Sequence, residues 1–125
     1  MEIIRNILIA GTGSFIGGAV RYILIEAMSG VKRGWPTVVV NLVGCLLIGL
    51  IWGLLSRIQS ENSSLALFLM VGICGGFTTF SSFSKDALMM LQSGNISGFA
   101  AYICTSVIAG IALTALGYYL TRQTG

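Results

Sequence analysis

The chain contains no histidine and only four acidic residues among 125. Without histidine, no unperturbed side chain changes charge near neutral pH. The acids, Glu2, Glu26, Glu61 and Asp86, fall near the ends of apolar runs and form no carboxylate pair. No nucleophile–base pair or metal-ligand cluster can be assembled, and the glycines of residues 72–76 lack the following lysine of a phosphate loop. Enzyme activity therefore has no support. The three cysteines, Cys45, Cys74 and Cys104, are odd in number, without paired spacing, and lie inside apolar runs. They read as small buried apolar residues rather than disulfides or metal ligands. Charge is the scarcest commodity: 9% of residues, against about 25% in a soluble domain.

What fills the chain instead is apolar sequence, 55% of the residues, with a mean hydropathy of +0.91. Four spans are expected at about residues 3–25, 34–56, 64–91 and 97–121, each near or above the roughly 20 residues that cross a bilayer. The expected architecture is all-α: one multi-pass membrane domain over residues 1–125, with lipid around it and no nucleic-acid partner. Arg5 ahead of the first run imitates a signal peptide. The run lacks a small-residue cleavage site and continues into a second span, so it is kept as mature structure.

With four spans, Arg5, Arg57 and Arg122 lie on one side, and Arg21, Lys32, Arg33 and Lys85 on the other. Orientation follows the lysine and arginine bias between short loops, and three against four is almost none. Two readings follow: a single orientation set by another signal, or dual topology, with copies inserted both ways and paired as an antiparallel homodimer.

The third span holds the least regular stretch, Gly72 to Ser84. Gly75-Gly76 followed by Thr78-Thr79 is poor helix material, so a break is expected near residues 75–79. Unpaired backbone does not survive against lipid; it must be buried in protein or line a polar cavity. Phe80 and Phe83 follow, three apart on one helical face, with Thr78, Ser81 and Ser84 on an adjacent stripe. Lys85 and Asp86 are expected to reach the interface or each other.

The other spans carry polar stripes too. Gly13, Gly17 and Arg21 share one face of the first; the glycines suit close packing, and Arg21 suits either snorkelling to the interface or an anion-attracting vestibule. Trp35-Pro36 opens the second span, where Asn41 is the sole carboxamide. It serves either as interhelical glue or as a donor to an anion. Gly49 and Gly53 extend the packing face, and Trp52 belongs at the opposite interface. Residues 57–64 read as a polar turn with Glu61 exposed. In the fourth span Tyr102, Ser106, Gly110 and Thr114 recur every four residues.

Hydroxyls, a carboxamide and phenyl edges favour an anion, because a ring's edge is positive. Carbonyls freed at a helix break favour a cation such as sodium. A proton-coupled multidrug exporter would need a carboxylate deep in the first span, which offers only Glu26 at its end. A non-transporting assembly subunit would explain the glycine faces but not three polar stripes and a broken helix.

At these residues the sequence resembles the Fluc or CrcB-type family of small dual-topology fluoride channels. The resemblance rests on Gly75-Gly76-Phe77-Thr78-Thr79-Phe80-Ser81-Ser82-Phe83-Ser84, on Asn41 and on Arg21, and it extends over essentially the whole chain. It implies an antiparallel homodimer with two pores in the inner (plasma) membrane, passing fluoride out of cells that HF has entered. It implies Phe80 and Phe83 as the aromatic edges of the pore, with Asn41 and Tyr102; Ser81, Ser106 and Thr114 as hydroxyls along the path; and Arg21 in the vestibule. It implies a structural sodium on the dimer axis, held by the carbonyls of Gly75 and Thr78. Ser82 stands where the family often has threonine. Pro36-Thr37-Val38-Val39-Val40-Asn41 departs from the family's Gly-Thr-Leu-x-Val-Asn, which leaves a role for Thr37 open.

Overall fold

A computed structural model describes residues 2–58 and 63–123. Glu61, expected in an exposed turn, lies outside the described residues. Four helical segments are long and apolar enough to cross a membrane: Glu2–Ala27, Trp35–Arg57, Ser64–Gln92 and Ile96–Arg122. We label Glu2–Ala27 α1 and Trp35–Arg57 α2. The third segment divides into α3 (residues 64–77) and α4 (Phe80–Gln92), and the fourth is α5 (residues 96–123). This is an all-helical, multi-pass membrane architecture.

Local chemistry sets the helix ends. Pro36 sits in the first turn of α2, where its missing N–H costs nothing. Ser63 accepts from Ala66 N–H at 3.2 Å to cap α3, and Asn95 accepts from Gly98 N–H at 2.9 Å to cap α5. Two stretches are π-helical, Leu67–Cys74 within α3 and Thr105–Ala109 within α5. Such wide turns recur at functional sites.

Two glycine seams hold the helices together. α1 lies on α3: a Cβ at Gly76 would stand 2.7 Å from Ser14 Cα, and one at Gly17 would stand 2.8 Å from Phe77 N. α2 lies on α5: a Cβ at Gly117 would stand 2.7 Å from Leu46 O, and one at Gly49 would strike Thr114. Lipid offers no hydrophobic drive between helices, so close backbone contact supplies the attraction. A small buried cluster of Val38, Ala87 and Tyr102, flanked by Trp35, Leu42, Phe83 and Met90, joins α2, α4 and α5. Most other large apolar side chains point outward, as bilayer-facing side chains do.

Candidate ion site at the helix break

The break is shorter than the sequence suggests. Gly75, Gly76 and Phe77 remain helical, and only Thr78 and Thr79 leave the α region, with φ/ψ of −89°/158° and −148°/117°. Thr78 therefore stands outside the stripe of Ser81 and Ser84 that was expected to include it. Glycine is tolerated here because α1 crosses against it at Ser14; close approach outweighs its helix penalty.

Asn41 makes the break possible. Its Oδ1 accepts from Thr79 N–H at 2.8 Å, and its Nδ2 donates to the Thr79 carbonyl at 3.0 Å. The first bond replaces a helical partner that would be costly to leave unmade at this depth; the second adds to the bond that an N-cap carbonyl accepts from its own helix. One Asn41 N–H remains uncommitted by these bonds. Thr79 Oγ1 then caps α4, accepting from Ser82 N–H at 3.2 Å, and lies 3.2 Å from Ser81 Oγ.

These substitutions release carbonyls. In a continuous helix Thr79 N–H would bond Gly75 and Ser82 N–H would bond Thr78; here they bond Asn41 and the Thr79 side chain. The Thr78 hydroxyl donates to the Cys74 carbonyl at 3.0 Å, and its methyl faces Gly44, so Thr78 offers its own carbonyl alone. The next carbonyl, Gly76 O, accepts from Arg21 Nε at 3.1 Å. Arg21, half-buried, is thereby tied to the break through Nε.

A cavity of about 380 Å³ opens beside the break. It brings together Asn41, Gly75, Thr78, Phe80, Phe83 and Ser106 from the expected site. Phe80 is 78% exposed, its ring centroid 5.5 Å from that of Phe83. Ser106 Oγ is, among the described residues, the buried side-chain polar atom left without a partner. A second cavity, of about 430 Å³, shares Cys45, Ser106 and Val107 with the first and continues past Gly110 and Thr114 to Trp52 and Tyr118.

Other expected members sit elsewhere. Tyr102 is fully buried and lines neither cavity; it stacks behind Phe83 with centroids 5.3 Å apart. Ser81 is exposed on α4, outside both cavities. Thr114 lines the second cavity, but its hydroxyl has Cys45 O at 3.2 Å and Gly110 O at 3.0 Å as acceptors. Cys104 is exposed rather than buried, Cys45 is intermediate, and only Cys74 is fully buried; all three are free thiols.

Asp86 is the member that sequence reasoning missed. Rather than pairing with Lys85, its Oδ2 accepts from Thr37 Oγ1 at 3.2 Å and from Tyr102 OH at 3.4 Å. The adjacency of Lys85 hid it. Helical spacing offered a signal, since Asp86 lies three residues past Phe83 on the same face.

Residues 8–118 match the family model described as CrcB-like protein, Camphor Resistance (CrcB). The chain is 39% identical over 121 residues to a protein of Phocaeicola vulgatus named fluoride-specific ion channel FluC, covering 94% of this chain and 99% of that one. Proteins of the same name from Methylobacillus flagellatus and Agrobacterium fabrum are 35% and 39% identical, across 95% and 94% of this chain and 96% and 97% of theirs.

Proposed function

The chain belongs to the CrcB-like family, and on that premise we propose that it is a fluoride-selective channel, passively exporting fluoride through two pores of an antiparallel homodimer. Its relatives are named as ion channels, not enzymes. The observation that carries the reading is the cavity at the break, where two phenyl rings and the unpartnered, buried Ser106 hydroxyl meet. Burying a small anion without donors costs tens of kcal/mol by a Born estimate, so an idle hydroxyl beside positive ring edges is suited to one. The remaining Asn41 N–H adds a donor.

The homodimer has two supports. Phe80 is a large apolar side chain left open beside released backbone carbonyls, an arrangement lipid does not tolerate. A second copy laid across the cavity would cover both. With Arg21 bonded at the break, the remaining cations fall three to each end, Arg5, Arg57 and Arg122 against Lys32, Arg33 and Lys85. That even split favours insertion both ways.

The donor set fits sodium. Hard cations take oxygen ligands, and Gly75 and Thr78, whose carbonyls have lost their helical donors, are both among the residues lining the cavity. Two copies would supply four such oxygens, with sodium acting as a structural tie. Ser81, Tyr102 and Thr114 remain on the path in this reading once a partner closes it. The membrane is the inner (plasma) membrane, and the exported ion is fluoride left by HF that dissociates inside the cell.

The test is release from liposomes holding purified protein, followed with fluoride- and chloride-selective electrodes. Fluoride should leave and chloride should not, and Phe80→Ile or Phe83→Ile should cut fluoride release at least about tenfold, a barrier change of about 1.4 kcal/mol. Equal release of both ions would reject selectivity. Normal release by either variant would reject that ring's role.

A further inference from the structure

The two cavities meet at one place. Cys45, Ser106 and Val107 line both the cavity of about 380 Å³ at the break and the cavity of about 430 Å³ beyond it. An ion passing from one to the other must pass these side chains. Ser106 brings the buried hydroxyl that has no partner. Cys45 comes from α2, and nothing in the ion site so far accounts for it.

Its position is held from α5. Thr114 Oγ1 donates to the Cys45 carbonyl at 3.2 Å. Close by, a Cβ at Gly49 would strike Thr114 and one at Gly117 would stand 2.7 Å from Leu46 O, so main-chain contact sets the helix spacing here. The width left between the cavities then depends on the side chain. A Cβ at Gly110 would stand 3.3 Å from Cys45 Sγ, with Leu42 Cδ2 next at 4.0 Å. The thiol thus lies against the notch left by a missing side chain on α5. Thiols are weak donors and acceptors that behave as small apolar groups. A hydroxyl at this position would compete for the Ser106 proton; the thiol leaves that proton to an anion.

We propose that Cys45 sets the bore of the anion path where the two cavities join, and that its thiol is a modification site. A small group attached there closes the path, and its removal reopens it. The proposal rests on the fluoride-channel reading and adds to it a residue and a means of control.

The probe is methyl methanethiosulfonate, a small uncharged thiol reagent. The Cys45 thiolate, its proton lost to water, attacks the reagent's sulfenyl sulfur. A bond forms from Cys45 Sγ to the S–CH3 group, and methanesulfinate leaves with the electron pair of the broken sulfur–sulfur bond. Dithiothreitol reverses the step, freeing methanethiol and the Cys45 thiol while it is oxidised to its cyclic disulfide.

The experiment is fluoride release from liposomes holding the full chain, before and after the reagent, with the label located by peptide mass mapping. Label at Cys45 should cut release at least about tenfold, and dithiothreitol should restore it. A purely structural role would not give a block that a reductant undoes in folded protein. Cys45→Ala, which keeps Cys74 and Cys104, widens the joint; it should release fluoride roughly twofold faster and ignore the reagent. Gly110→Ala presses Sγ into the joint and should slow release roughly threefold or more. Adding Cys45→Ala to it should bring release back to within about twofold of Cys45→Ala alone; this pair needs no reagent. An unlabelled Cys45, or a labelled one with undiminished release, would overturn the proposal. So would Cys45→Ala that runs no faster or is still blocked, which would place closure at another thiol. So would Gly110→Ala that is not slowed, or is slowed and not rescued. If the unaltered protein releases no fluoride, it is the channel reading that fails.

Discussion

The glycine seams and the open face beside the break use backbone in opposite ways. Along α1–α3 and α2–α5, glycine lets main chain meet main chain, and the polar groups there have partners. Ser14 Oγ donates to Gly72 O at 3.4 Å, and Thr121 Oγ1 donates to Gly117 O at 3.0 Å. At the open face the reverse holds. Phe80 lies uncovered, Ser106 Oγ is buried without a partner, and two carbonyls have lost their helical donors. A seam is complete within one chain; the open face leaves groups without partners, which under the proposed function an ion and a second copy would cover. On the proposed reading, the difference separates residues that make the protein stand from residues that would make it conduct.

The strongest challenge to that division is Gly17→Leu. A side chain there meets Ile73 and Phe77 main chain, which cannot yield as a flexible side chain would. Overpacking typically costs about 1–3 kcal/mol and more against backbone, so little folded protein should elute on size exclusion. A normally folded, normally conducting variant would mean that the seam is looser than its geometry.

Asn41→Leu sits on the boundary between the two regions. It removes both bonds to Thr79 and leaves the Thr79 N–H unpaired, at about 1–3 kcal/mol. Fluoride release should fall at least about tenfold, with a lower melting temperature. Loss of release at unchanged stability would assign Asn41 to the ion alone and not to the break.

The smallest effect sharpens the comparison most. Ser106→Ala deletes a hydroxyl that has no partner to lose, so stability should stay within about 0.5 kcal/mol or rise slightly. Fluoride release should nevertheless drop severalfold. A stability loss above about 1 kcal/mol would place Ser106 with the seams.

Much of this was legible in the chain itself. Scarcity of charge and the length of four apolar runs fixed an all-helical membrane architecture, because crossing hydrocarbon demands both. Gly75-Gly76 and Thr78-Thr79 marked the irregular point within about two residues, since propensity is local. Phe80, Phe83 and Ser106 could be picked out by spacing on a helix face and Asn41 as the sole carboxamide of its span, and the cavity gathers all four. Partnership could not be read this way. That Asn41 bonds Thr79, that Arg21 holds Gly76 and that Asp86 draws in Thr37 and Tyr102 depends on which helices touch, across 38, 55, 49 and 16 residues of chain. Periodicity gives each helix its face, but only close packing of separate helices decides which hydroxyl finds an acceptor and which, like Ser106, is left waiting for one.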